Sequence, residues 1–383
     1  MSTLTSATSA TTATSATSAT SATSATSATS AAVNGIGGYS GAFINPMLHM
    51  GLDQSRKFLA TQSSSLGLLG GSPFGAAHYT ALLPAIDAVA NLKRWQPDVR
   101  LQVLGWELGE GLRFRSSING TDGMPISEAV ELQLDDKPMA RMTRPTLVVL
   151  RRQSAKTADL VKNVLSSGSQ IETPLNEILT QITPAFAYWS AIVPLHPDRT
   201  PRTLELMQMA LGLASGVALR FKHALGCPRP YELNSACHPV ILTPAHGSLP
   251  SGHATEATAV SHFLSHLISP SGATPSPSHG QALMLLSRRI ALNRVQAGVH
   301  FELDSIAGHM LGKVLAMYML ARAGTGVVVT PKLFDGQSAN GSEEAGIQAD
   351  SLPCVSDLDG TLDVGSNNLL RTLWTQARAE WGY

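Results

Sequence analysis

Three short blocks decide the reading of this chain: Lys222-His-Ala-Leu-Gly-Cys-Pro-Arg229-Pro230, Pro250-Ser251-Gly252-His253, and Arg294-Val-Gln-Ala-Gly-Val-His300-Phe-Glu-Leu-Asp304. Lys222 falls in the last turn of an apolar periodic segment, 201–225, that reads as a helix. Gly226 is a natural C-cap and Pro228 forbids continuation, so Arg229 projects just past the helix end. Ser251 reads as the N-cap of a second helix, 252–269, with Glu256 near the capping-box position. Gly252 lets backbone N–H groups approach a ligand, and a helix N-terminus favours an anion. Arg294 lies in the last turn of a helix over 280–297, which Gly298 ends. His300 and Asp304 are then i,i+4, where a carboxylate fixes the imidazole tautomer and leaves the other nitrogen as nucleophile or ligand. Taken singly, these residues read as a solvated charge, an ordinary cap and a structural His–Asp pair. Taken together, three cations, two histidines, a helix start and a carboxylate suit the binding of a tetrahedral oxyanion and acid/base chemistry upon it.

Around these blocks the sequence reads as mainly α, a helical bundle. Further helices are expected over 155–166, 173–192, 302–323 and 366–381, and Thr200 before Pro201 is a sensible cap for the helix that follows. Short runs near 99–150 (VRLQVLGWEL, AVELQLDD, PTLVVLRR) read as strands or extended segments. Residues 1–32 carry a Ser-Ala-Thr tract with neither aromatics nor charges, expected to be disordered. Residues 33–200 form an N-terminal arm and helical portion, 201–323 the bundle half with the oxyanion site, and 324–383 an irregular tail with one short helix. The segment 270–278 reads as a loop.

Composition narrows the function. Lys+Arg and Asp+Glu are equal at 27 each, so no basic field exists for nucleic acid. Hydrophobic content of 43% is ample for a core in 383 residues. Cys227, Cys237 and Cys354 fit neither a disulfide framework nor a zinc pattern, although a Cys227–Cys237 bridge stays open. The sequence shows no long unbroken apolar run and no secretory signal, so a soluble, cytoplasmic protein without a membrane span is expected.

The order and spacing of the three blocks resemble the signature of the type 2 phosphatidic acid phosphatase/vanadium haloperoxidase superfamily: Lys-x6-Arg-Pro, Pro-Ser-Gly-His, then Ser-Arg-x5-His-x3-Asp. Every element is kept except that Asn293 stands in the place of the serine. The resemblance covers roughly residues 200–320 and implies a helical bundle of the acid phosphatase/vanadium haloperoxidase type. It also implies that Lys222, Arg229, Arg294, Ser251 and the Gly252 N–H hold the oxyanion, with His300 as axial group or metal ligand and His253 as acid/base. Two chemistries are implied. A phosphatase would use His300 to form a phosphohistidine. A haloperoxidase would hold vanadate on His300, with phosphate able to occupy the same site, and act on hydrogen peroxide, a halide and an organic acceptor. His246, seven residues before His253, resembles a second active-site histidine of bromoperoxidases. With the long N-terminal portion, it favours a vanadium-dependent haloperoxidase oxidising bromide or iodide, the alternative being a soluble acid phosphatase.

Two other patterns are set aside. Asp357-Leu-Asp359-Gly-Thr-Leu-Asp363 looks like a haloacid-dehalogenase opening, but only 20 residues follow it, so a surface turn is expected. His262 and His266 have zinc spacing without an intervening glutamate, which reads as a structural pair.

Overall fold

The computed structural model describes residues 88–116, 129–135, 144–153, 157–169, 174–183, 186–338 and 352–383, with a few positions between 50 and 61. The Ser-Ala-Thr tract and most of the expected arm lie outside the described residues. The chain divides into two units, Met1–Arg100 and Leu101–Tyr383. The described part of the first includes a 3-10 turn over Val89–Arg94; the second carries the structure considered below.

The run VRLQVLGWEL, expected to be extended, is helical: α1 covers Pro97–Glu110. Its inward side chains Leu101, Leu104 and Leu108 recur at helical spacing, a period that the interleaved Gly105 and Gly109 obscure. The other two runs are strands, as expected. Strand β1 (Leu112–Ser116) pairs antiparallel with β2 (Ala129–Leu134), and β2 with β3 (Thr146–Arg151). Residues from the segment expected to be irregular complete the sheet. Strand β4 (Lys332–Asp335) lies parallel to β3, with Val148 opposite Lys332, and β5 (Val355–Asp357) closes the edge antiparallel. The order is β1-β2-β3-β4-β5. Asp359 and Asp363 follow β5 in exposed, irregular backbone around Gly360 at φ +79°, the turn expected there.

The remainder is helical: α2 (Thr157–Ser169), α3 (Leu175–Thr180), α4 (Ala187–Ser190), α5 (Pro201–Leu225), α6 (Pro230–Leu233), α7 (Gly252–Leu267), α8 (Gly280–Gln296), α9 (Glu302–Arg322) and α10 (Asn368–Ala379). The single helix expected over 173–192 is two short ones, with Pro184 in the sequence between them. Helix α7 is the hub. Nearly all its side chains are buried, and it packs against α5, α8 and α9. Helices α5 and α9 also meet the sheet, where Phe114 of β1 stacks edge-on to Phe221 at 5.0 Å.

Helix ends are held partly by distant residues. Thr200 sits at the N-cap of α5 but does not cap it; its hydroxyl bonds His196 instead. The cap comes from the other end of the chain. The Glu380 carboxylate accepts from the backbone N–H of Arg202 (2.6 Å) and Thr203 (2.9 Å) and from the Thr203 hydroxyl (2.7 Å). Two residues earlier, Arg378 donates to the carbonyls of Leu267, Ser269 and Pro270 at the end of α7. The last turn of the chain thus ties the start of α5 to the end of α7.

Helices α7 and α9 approach unusually closely. A Cβ on Gly308 would lie 2.7 Å from both Ser251 O and Ala254 Cβ, and one on Gly312 would lie 2.4 Å from Thr255 O. These obstacles are mostly backbone, so no rotamer change relieves them.

One helical stretch, Pro201–Leu233, is long and apolar enough to cross a membrane, which the sequence reading had not expected. Its best window has mean hydropathy 1.2, and 56% of that window is buried inside the protein. The core helix of a globular protein meets the same length and composition test.

Gly312→Ala is expected to destabilise the fold by about 1–3 kcal/mol through overpacking. Gly216→Ala, in the middle of α5 with nothing within 4 Å of its added Cβ, is expected to stabilise by roughly 0.5–1 kcal/mol. Thermal denaturation of the two variants checks this; the reverse order would refute the close α7–α9 contact.

Candidate active site

The site forms where four helix ends converge: the C-termini of α5 and α8 and the N-termini of α7 and α9. Gly226, left-handed at φ +59°, ends α5 and donates its N–H to Lys222 O. The chain then turns through Pro228 and brings Arg229 back beside Lys222. The Lys222 ammonium donates to the carbonyls of Gly247 (2.9 Å) and Ser248 (2.8 Å). Arg229 donates to the carbonyls of His246 (2.9 Å) and Val299 (2.6 Å). Both cations are therefore fixed by main-chain oxygens, which orient a charge without neutralising it.

Ser251 caps α7, accepting from Ala254 N at 3.4 Å, while its own N–H donates to Asp304 O at 2.8 Å. Glu256 lies too far along the helix to complete a capping box; it bonds Ser215 instead. The Lys222 side chain passes 3.9 Å from where a Cβ on Gly252 would stand, so the lysine lies against the first residue of the helix.

Asp304, in the first turn of α9, accepts from Phe301 N (2.9 Å) and from His300 Nδ1 (3.0 Å). Burial pushes the His300 pKa well below its usual value, and Lys222 and Arg229 add to the effect. The ring is therefore neutral. Its Nδ1 carries the proton that the carboxylate accepts, and Nε2 keeps a lone pair. Burial raises Asp304 to about 6, against the N–H of Phe301 and the charges of Lys222 and Arg229.

His253 lies in the first turn of α7. Its Nε2 is 2.8 Å from the carbonyl of Gln181, which can only accept, so Nε2 bears the hydrogen, and the main chain of Ile182 adds a second hydrogen bond to the ring. Burial and Arg294 lower its pKa to about 4. A bound anion opposes the Arg294 part of this shift, not the larger part due to burial.

Arg294 is buried, and burial brings its pKa down to about 10. One of its nitrogens, Nη2, donates to Ile178 O (3.0 Å) and Gln181 Oε1 (3.3 Å). Its Nε and Nη1 have no partner among the described residues. Buried guanidinium donors of this kind fit a tetrahedral oxyanion. Asn293, the departure from the expected serine, donates to Glu177 Oε2 (2.9 Å) and Gln181 Oε1 (2.8 Å), and Glu177 pairs with Arg289.

His246 is exposed; its Nδ1 lies 3.1 Å from Arg229 Nη2 and 3.2 Å from the carbonyl of Gly247. The expected site residues thus come together: Lys222, Arg229, Ser251, Gly252, Arg294, His300 and Asp304, with His253 across from them and His246 at the rim. The reading of the sequence missed Gln181, Glu177 and the carbonyls of Gly247, Ser248 and Val299. Carbonyls have no sequence signature, and Gln181 lies outside every motif.

A mostly apolar cavity adjoins the site, lined by Thr183, Tyr188, Trp189, Leu211 and Ile290 and reached by His253 and Glu256. Glu256 is raised to about 7, first by burial. His266 bonds back to the carbonyl of His262, so these two form a helix-face contact. Among the described residues, no group of three His, Cys, Asp or Glu side chains could hold a metal ion. None of Cys227, Cys237 and Cys354 is in a disulfide among the described residues, so the Cys227–Cys237 bridge does not form.

Residues 205–325 match the PAP2 superfamily. Comparison with curated proteins gives no match. Among solved structures, the chain is similar to a transmembrane PAP2-type phosphatidylglycerolphosphate phosphatase from Bacillus subtilis, at 22% identity and a TM-score of 0.32, over 42% of this chain and 82% of that one. A likeness at that level carries no argument about activity.

Burial lowers the Lys222 pKa to about 7, with Asp304 opposing the shift. As pH rises through 6 to 7 in the ligand-free protein, Asp304 gains negative charge and Lys222 loses its positive one. Sulfate stays a dianion over this range, so its affinity is expected to fall with rising pH. Lys222→Arg should flatten the upper part of the profile, because guanidinium stays protonated. A calorimetric titration from pH 5 to 9 checks this; a flat wild-type profile would contradict it.

Proposed function

We propose that the chain is a phosphohydrolase that cleaves phosphate esters through a phosphohistidine at His300. Lys222, Arg229 and Arg294 hold the non-bridging oxygens, with the N-terminus of α7 at Ser251 and Gly252 adding donors. Asp304 holds the Nδ1 proton of His300, so the Nε2 lone pair attacks phosphorus and the bond to the ester oxygen breaks. The leaving alkoxide takes a proton from Nδ1 of His253, whose protonated form the charge of the bound phosphoryl group favours. In the second half, the same nitrogen removes a proton from water. The water oxygen then displaces His300 and releases inorganic phosphate.

The observation that carries this reading is the His300–Asp304 pair beside the cations: the carboxylate accepts the Nδ1 proton at 3.0 Å, which leaves the Nε2 lone pair for phosphorus, while Nε and Nη1 of Arg294 have no partner among the described residues. The match of residues 205–325 to the PAP2 superfamily supports ester hydrolysis over halide oxidation.

The peroxidase expectation has one observation in its favour, the contact of His246 with Arg229. Vanadate would rest on Lys222, Arg229, Arg294 and Ser251 with His300 as its ligand, and when bound it supplies activation of hydrogen peroxide toward bromide or iodide.

The purified protein, without vanadate, is expected to release phosphate from a monoester, and vanadate should inhibit it. His300→Ala should abolish turnover and the acid-labile phosphoprotein trapped by rapid quench. Asp304→Asn should lower kcat on the order of 10²–10⁴-fold. Vanadate-dependent bromination with no ester hydrolysis would replace this reading with the peroxidase one.

A further inference from the structure

Gln181 lies ahead of the segment that matches the superfamily, yet it touches both walls of the site. Its main-chain carbonyl accepts from His253 Nε2 at 2.8 Å, which fixes the tautomer of that ring. Its side-chain Oε1 accepts from Asn293 Nδ2 at 2.8 Å and from Arg294 Nη2 at 3.3 Å. The residue is 3% exposed.

The orientation of this amide is determined by its neighbours. Arginine only donates. Asn293 Nδ2 also serves the Glu177 carboxylate, which only accepts, so that atom is the amino group. Both neighbours of the Gln181 side chain are donors, and Oε1 must face them. Glu177 is anchored in turn by Arg289, at 2.9 and 3.2 Å. A continuous relay therefore runs from Arg289 through Glu177, Asn293 and Gln181 to Arg294. It occupies Nη2 of Arg294 and leaves Nε and Nη1 as the available donors. The relay also accounts for asparagine at 293: a serine hydroxyl has one hydrogen and could not donate to Glu177 and Gln181 together.

We infer that Gln181 is a positioning residue of the oxyanion site, aligning Arg294 through its side chain and His253 through its main chain. The catalytic part of this inference rests on the phosphohydrolase reading, whereas the oxyanion-binding part does not.

A double-mutant cycle tests it, with inorganic phosphate binding measured by calorimetry beside kcat/KM on a monoester. Gln181→Leu is expected to weaken phosphate binding and lower kcat/KM by about tenfold each, the effect of losing one charge-assisted bond. Gln181→Glu should weaken binding further, because its carboxylate pairs with Arg294 and cancels the charge. In an Arg294→Ala background, Gln181→Leu should change phosphate binding by less than about twofold, since coupled residues are not additive. A folded Gln181→Leu protein that binds phosphate like the wild type overturns the inference. So does an equal loss in the Arg294→Ala background, which marks a merely structural role. If Gln181→Leu does not fold, Gln181→Met takes its place in the same cycle. A wild type that binds phosphate with the expected coupling but hydrolyses no ester leaves Gln181 in place and removes the phosphohydrolase reading.

Discussion

The close contact of α7 and α9 is the constraint from which the site follows. Gly308 and Gly312 let α9 ride against the backbone of α7 from Ser251 to Ala259, where any Cβ would strike carbonyl or amide atoms. That approach brings the N-termini of both helices together, and the bond from Ser251 N to Asp304 O sets their register. Two positive helix ends would repel each other, so the arrangement favours negative charge between them. Asp304 supplies part of that charge and orients His300, and an oxyanion can supply the rest. A wider α7–α9 spacing would separate His253 from His300 and leave two ordinary caps.

Burying Lys222, Arg229 and Arg294 is costly even with the carboxyl groups of Asp304, Glu256 and Glu232 nearby, and the lowered pKa of each cation expresses that cost. The protein answers with carbonyl oxygens: Gly247 and Ser248 on Lys222, His246 and Val299 on Arg229, Ile178 on Arg294. A carboxylate in any of these places would remove the charge that an anion needs. The dipoles instead preserve a net positive field while satisfying part of the hydrogen-bonding demand. The remainder, Nε and Nη1 of Arg294, is left for the ligand. Affinity for a tetrahedral anion is therefore a consequence of incomplete internal satisfaction.

The helical core and the charged part of the site were readable because their signals are local. Gly226 and Pro228 mark the end of α5, the i,i+4 spacing pairs His300 with Asp304, and Ser251 caps α7 as its sequence position suggests. What escaped depends on distance in sequence. The α1 periodicity was interrupted by glycines, so a helix looked like a strand. Residues 332–335 and 355–357 carry little strand signal of their own, and they join a sheet because β3 offers an edge. Thr200 had the right identity for a cap, but Glu380 holds that role from the far end of the chain. The capping-box expectation for Glu256 failed for a local reason: with Ser251 at the N-cap the third helical position is Ala254, and Glu256 lies two residues beyond it, bonded to Ser215.

The segment that matches the superfamily is therefore not self-sufficient. Within residues 205–325, Arg294 and His253 would each lack a partner that orients it, since Ile178 and both groups of Gln181 come from outside. The same is true of the cavity beside His253, whose aromatic wall is Tyr188 and Trp189. Trp189 is fixed there by its indole N–H, which donates to Ser261 of α7 at 3.0 Å. The α3–α4 region thus completes the candidate site from outside the matched segment: it orients Arg294 and His253 and walls the small cavity beside them, against the rigid helix that carries the motif.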